Sequence, residues 1–233
     1  MAKPACVVVG IGPGNGAAFA RRFAADGYAV ALLARAAEPA RALAAELPDA
    51  RAWQCDVGDP ASIALVCDAI RATLGDPEVV IYNAGSGAFG TFDDVSAADF
   101  EASWRINALG GFLFAKHFVP AMKRAGRGNL VFVGATASRR GAARTAAFAP
   151  AKAAQRSLAE SLAKHLGPAG IHVSLIVIDG VVDLPRTRQR MPDKPDAFFV
   201  RPEDVAGTAA FLVAQPRSAW TFELEARPFG ETW

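Results

Sequence analysis

The chain is poor in the side chains that many active sites depend on. Its 233 residues include three cysteines, three histidines and two tyrosines. Cys6, Cys55 and Cys67 are odd in number and lack metal-ligand spacing, which excludes a disulfide framework and predicts reduced thiols at core or strand-end positions in a cytoplasmic protein. His117, His165 and His172 offer no ligand spacing either, so no metal site is expected and the histidines read as structural. No charge of one sign dominates: the formal net charge is +2, and the arginines scatter over helix faces, so nucleic acid is not an expected partner. No apolar run approaches the roughly 20 residues of a membrane span, and a strand pattern begins almost at once, which leaves no expectation of a leader peptide.

What the chain does have is alternating strand and helix patterns, without repeats or low-complexity tracts. A β-branched run, Cys6 to Val9, breaks into Gly10, Gly12, Gly14 and Gly16, with Asn15 between the last two, and these open a helix carrying Phe19 and Phe23 one turn apart. Glycines allow a tight turn and close approach to a pyrophosphate, whose charge then faces the free N–H groups of a helix N-terminus. Further strands are expected at 29–33, 50–54, 79–82, 130–133, 173–178 and 221–226. Helices are expected at 38–47, from Asp59-Pro60 to about 74, from Ser96 to about 124, at 145–166 and at 202–214. This is the pattern of a doubly wound parallel sheet of about seven strands with helices on both faces, the Rossmann fold, in a single dinucleotide-binding domain over 1–233. The proline-broken, charged stretch 181–200 reads as a mobile substrate loop or a broken helix.

Gly10, Gly14 and Gly16 fit Gly-x-x-x-Gly-x-Gly, and this spacing resembles the short-chain dehydrogenase/reductase family. The resemblance continues in Asp56-Val57, the pair that would frame an adenine, and in Asn83-Ala84-Gly85, which would support the cofactor side of the sheet. It implies a nicotinamide cofactor. An acid about 20 residues past the glycines selects NAD by bonding the ribose 2′-OH. Here the second strand ends Leu33-Ala34-Arg35, with no acid before Glu38, so NADP(H) is favoured over NAD(H), with Arg35 meeting the 2′-phosphate.

The catalytic set that the resemblance implies is incomplete. Asn107 and Lys152 match the family Asn and Lys, and Lys152 would also hold the cofactor ribose. The family Tyr position is Phe148 and the family Ser position is Ala135, so this is an atypical member. Thr136 and Ser138 are close enough to stand in as hydroxyl donors. Tyr82, at a strand end, and Lys152 remain as candidate acids. The usual Pro-Gly after the sixth strand is Asp179-Gly180, with Val182 placed to offer its N–H to a carboxamide and Asp179 without an evident role.

Arg139, Arg140, Arg144, Arg186, Arg188 and Arg190 flank the expected mouth, either as solvated charge or as a cradle for an anionic small-molecule substrate. Three functions remain open: an oxidoreductase acting on a carbonyl or alcohol by an altered proton route, an enoyl-thioester double-bond reductase, and a dinucleotide-binding protein without turnover. The family also implies a homodimer or homotetramer through the long helix and the helix bearing Phe148; on the long helix Trp104, Phe112, Phe114 and Phe118 exceed the needs of one core face.

Overall fold

A computed structural model describes residues 3–85 and 87–231. Its centre is a seven-stranded sheet of β1 (Ala5–Val9), β2 (Ala29–Ala34), β3 (Ala50–Gln54), β4 (Val79–Tyr82), β5 (Gly128–Ala135), β6 (Ile171–Ile178) and a C-terminal strand, Glu223–Ala226. The order is β3-β2-β1-β4-β5-β6 and then the C-terminal strand, every pairing parallel. Side chains alternate faces along a strand, so Val7 and Val9 enter one core and Cys6 and Val8 the other. Both faces are covered, which is why β1, β4 and β6 are buried along their whole length.

One face carries α1 (Asn15–Ala25) and α2 (Ala37–Glu46), together with the helix Pro202–Val213. The other carries α3 (Pro60–Leu74), α4 (Ala97–Trp104), α5 (Gly110–Ala125) and α6 (Phe148–Leu166). Asp59 caps α3 by accepting the Ala61 N–H at 2.9 Å, ahead of Pro60. Ser96 and Asp99 form a reciprocal capping box at α4. The sheet reverses its direction of winding between β1 and β4, and the crevice at the carboxyl ends of such strands is where open α/β sheets bind ligands.

The expected helix from Ser96 is interrupted. Residues Arg105–Leu109 form a π turn between α4 and α5, and Asn107 lies inside it. The turn presses Gly110 and Gly111 onto the sheet: a methyl on Gly111 would come within 2.8 Å of the Phe132 ring, and one on Gly110 would overlap the Tyr82 hydroxyl. Phe114 and Phe118 belong to the core, contrary to their expected place on an exposed face. Phe100, Trp104 and Phe112 are the exposed aromatics of this helix.

Residues 181–200 hold a two-residue parallel pairing of β7 (Val181–Val182) with β8 (Phe199–Val200) around α7 (Pro185–Arg190). The helix Pro202–Val213 is α8 and the C-terminal strand is β9. Arg188 ties this segment together, bonding Asp183 at 2.7 Å and Asp196 at 2.6 Å and lying over the Phe199 ring. No helix among the described residues is long and apolar enough to cross a membrane.

Candidate active site

The glycine turn is built onto the ends of β2 and β4. The N–H groups of Gly10 and Ile11 both donate to the Leu33 carbonyl, at 2.9 and 2.8 Å, folding the turn over the end of β2 two residues from Arg35. Gly10 has φ +96°, and a methyl there would lie 2.6 Å from the Ala84 nitrogen, so only glycine serves. Asn83 Nδ2 donates to the Gly10 carbonyl at 2.7 Å. Asn83 and Ala84 therefore act as a brace for the turn. Gly16 is pressed against the Gly10 carbonyl, which brings α1 close to β1.

At the next strand end, Asp56 Oδ1 accepts the Gly58 N–H at 2.9 Å, and the Asp56 N–H donates to Ser62 Oγ at 3.0 Å. The Val57 carbonyl lies beside Gly110, linking this turn to the π turn. Arg35 is exposed at the end of β2 and makes no ion pair among the described residues.

Asn107, Lys152 and Gly85 come together at the carboxyl end of β4 and β5. A methyl on Gly85 would lie 3.4 Å from Asn107 Oδ1 and 3.6 Å from Lys152 Nζ. Asn107 Nδ2 donates to the Ser103 carbonyl at 2.8 Å. Lys152 is only 4 % exposed; its Nζ donates to the Val133 carbonyl at 2.9 Å and to Gln155 Oε1 at 3.1 Å. Burial lowers its pKa from the usual lysine range to about 8. Gln155, fully buried, donates from Nε2 to the Asn107 carbonyl at 3.0 Å.

Two of the three hydroxyl candidates have given their protons to partners away from the site. Tyr82 is buried and its phenol donates to the Ile106 carbonyl in the π turn, while burial pushes its pKa far up. It is a support for the turn that carries Asn107, and its place as a candidate acid is withdrawn. Thr136 Oγ1 donates to Asp179 Oδ1, which spends its proton. Ser138 is buried, with Oγ accepting the Ala135 N–H at 3.1 Å. Asp179 also meets Arg140 at 3.3 Å and Arg227 at 3.8 Å, so its charge is matched within a network joining β5, β6 and the C-terminal segment.

Ala135 ends β5, and Phe148 opens α6 with its ring packed against Phe89, centroids 5.1 Å apart. Phe89 comes from the loop after Gly85 and is 63 % exposed. That loop is strapped to the segment before Phe148: Gly90 N–H donates to the Arg144 carbonyl at 3.0 Å and Ala146 N–H to the Gly90 carbonyl at 3.3 Å. Val182 is half-buried against the α8-side core. The neighbouring Leu184 side chain rests on Gly14, so the 181–200 segment reaches the glycine turn.

Three of the flanking arginines are tied up. Arg139 pairs with Glu223 and Glu225, Arg140 with Asp179, and Arg188 within its own segment. The three cysteines are buried, and burial raises Cys55 to about 11 and Cys67 to about 12, outside the range of a working nucleophile.

The sequence matches the short chain dehydrogenase family over residues 4–194. The chain belongs to this family. It is 32 % identical over 211 residues to a 3-alpha-(or 20-beta)-hydroxysteroid dehydrogenase of Mycobacterium tuberculosis, covering 90 % of this chain and 76 % of that one. To a D-threitol dehydrogenase of Mycolicibacterium smegmatis it is 29 % identical, covering 89 % and 85 %. Among solved structures, a metagenomic short-chain oxidoreductase in complex with NADP superposes with a TM-score of 0.85 at 28 % identity, over 98 % of both chains. A short-chain dehydrogenase from Rhodopseudomonas palustris gives 0.84 at 32 %, over 97 % and 99 %.

A short-chain dehydrogenase uses a nicotinamide dinucleotide, and the residues here fit one. Helix α1 begins after Gly14 with no capping side chain and no acid in its first turn, so the positive end of its dipole is open to an anion. Asn15 Oδ1 is buried there without a hydrogen-bond partner among the described residues, an acceptor awaiting a donor such as a ribose hydroxyl.

Three features of the site carried little or no signal in the sequence. Gln155 is three residues after Lys152 and so shares its helix face, a polar residue among buried alanines that could have been noticed. Phe89 and Leu184 sit in segments without periodicity, and their contacts arise only from the fold.

Proposed function

We propose that this short-chain dehydrogenase is a cytoplasmic NADP(H)-linked oxidoreductase that reduces a carbonyl without a tyrosine acid. The bound dinucleotide would supply the hydride. Gly10, Gly14, Asn15 and Gly16 would hold its pyrophosphate side, Arg35 its 2′-phosphate, Asp56 and Val57 its adenine, and Lys152 and Val182 its nicotinamide half. The observation that carries the reading is Lys152: a buried ammonium whose pKa is lowered to about 8, with two of its three N–H groups committed and one left. A general acid works best with a pKa near the operating pH, and the Tyr82 and Thr136 hydroxyls have spent their protons elsewhere. The NADP-bound metagenomic relative supports a nicotinamide dinucleotide as the cofactor.

The remaining parts of the reading concern the mouth and the assembly. The segment 181–200 would cover the substrate. Arg186 and Arg190, which make no ion pair among the described residues, would meet an anionic group on it. Trp104 and Phe112, 42 % and 40 % exposed, would be covered in a homodimer or homotetramer, which light scattering at micromolar concentration should return in place of a monomer.

The Phe89–Phe148 pair favours a second reading. It makes an apolar wall where the family places its acid. Hydride addition to an enoyl thioester leaves an enolate that water can protonate, so no positioned acid is required. The test compares ketones and enoyl thioesters with NADPH in the parent, in Phe148→Tyr/Ala135→Ser, and in each with Lys152→Ala. Ketone turnover by the parent that disappears with Lys152→Ala supports the proposal. Turnover of enoyl thioesters alone replaces it with the second reading. A parent inert to both, with ketone activity gained only in the double variant, overturns it in favour of a binding protein. A positioned acid contributes about 10²–10⁴-fold, which sets the size of the gain.

A further inference from the structure

Lys152 reaches the site at the end of a chain of neutral groups. Its Nζ has three donors: one goes to the Val133 carbonyl of β5 at 2.9 Å and one to Gln155 Oε1 at 3.1 Å. The same carboxamide turns its Nε2 to the Asn107 carbonyl of the π turn at 3.0 Å. Gln155 is completely buried, and both ends of its amide are used. A buried side chain so placed has one orientation, because turning the amide over would set its N–H₂ against an ammonium and its oxygen against a carbonyl.

We propose that Gln155 is the positioning residue for Lys152: it fixes the ammonium between β5 and the π turn and thereby selects the single N–H left for a ligand. The link is also closed to protons. A water in the same place could accept a proton from Lys152 and be replenished from outside, whereas a carboxamide donates at one end and accepts at the other without exchanging either role. A proton given up by Lys152 is therefore regained from the ligand side, through the mouth bounded by Phe89 and Phe148. Gly85 packs from the loop after β4, and burial lowers the Lys152 pKa. The state of Lys152 thus depends on these neutral partners, whichever substrate the enzyme takes.

The experiment follows Lys152 itself, in the absence of substrate. Protein labelled with 13C-lysine is titrated by NMR, the Lys152 ε-carbon resonance being the one missing from Lys152→Met. Removing an acceptor from the ammonium in Gln155→Leu should lower the titration midpoint by about one pH unit. Gln155→Glu, of nearly the same size, should raise it by placing a carboxylate beside the ammonium. If Gln155→Leu fails to fold, Gln155→Glu alone decides. Where the parent turns over, the pH profile of kcat should move with the midpoint in each variant. A midpoint within about 0.2 units of the parent in the folded variants overturns the proposal. A parent inert to ketones would sink the carbonyl-reductase reading and leave this titration unaffected.

Discussion

Replacing Tyr82 by Phe tests the idea that this residue supports the site from beneath. The variant keeps the ring between Phe114 and Phe132, whose centroids lie 6.0 Å from it on either side, and removes only the hydroxyl that donates to the Ile106 carbonyl. That carbonyl belongs to the π turn and loses its side-chain donor. A hydrogen bond of this kind contributes about 0.5–1.5 kcal/mol. In a domain of this size each kcal/mol moves Tm by roughly 2–4 °C, so the midpoint should fall by about 1–6 °C. Tyr28→Phe is the control: its half-exposed ring meets Phe23 edge-on at 5.3 Å, its hydroxyl has no partner among the described residues, and it should stay within about 0.5 kcal/mol of the parent. Gly110→Ala sharpens the test, because the added methyl would overlap the Tyr82 hydroxyl. It should cost less in the Tyr82→Phe background, with a coupling of about 0.5–3 kcal/mol. The assay is calorimetry on the four proteins of the cycle. A Tyr82→Phe midpoint within about 1 °C of the parent, with no coupling to Gly110, would refute the reasoning and return Tyr82 to the list of candidate acids.

Arg35→Ala should weaken NADPH binding by a charge-assisted phosphate contact, about 1.5–3 kcal/mol, and leave NADH nearly unchanged; fluorescence titration of both cofactors reads this, and an unchanged preference would remove Arg35 from the site. Lys152 also predicts a pH dependence of stability. Its pKa is about 8 in the folded chain and near 10.5 unfolded, so between these values the unfolded chain binds more protons and stability rises with pH. The slope from this one group is at most about 1.4 kcal/mol per pH unit, and Lys152→Met should abolish it in urea titrations from pH 7.5 to 10.5. Below about 8 both states hold the proton, and Lys152 contributes no slope.

Local chemistry was enough to define the frame. The β-branched runs, the glycines after β1, Asp59-Pro60 and the Ser96/Asp99 box each encode their element within a few residues, and a sheet buried on both faces follows from unbroken apolar strands. That Ala135 and Phe148 carry no hydroxyl is likewise visible in the sequence, since a missing hydroxyl is missing in any fold. Contacts across the sheet are a different matter. Whether Phe114 faces solvent or core depends on the phase shift introduced by the π turn, which no residue pattern announces. Tyr82 at a strand end suits an acid equally well until Ile106 is brought over it from 24 residues away. Arg139 and Arg140 look like a ligand cradle until Glu223, Glu225 and Asp179 arrive from distant strands. Gln155 acquires its role only when β5, α6 and the π turn converge on Lys152. Short-range geometry is written in neighbouring residues, whereas the partners of buried polar groups are chosen by which elements the packed sheet makes adjacent.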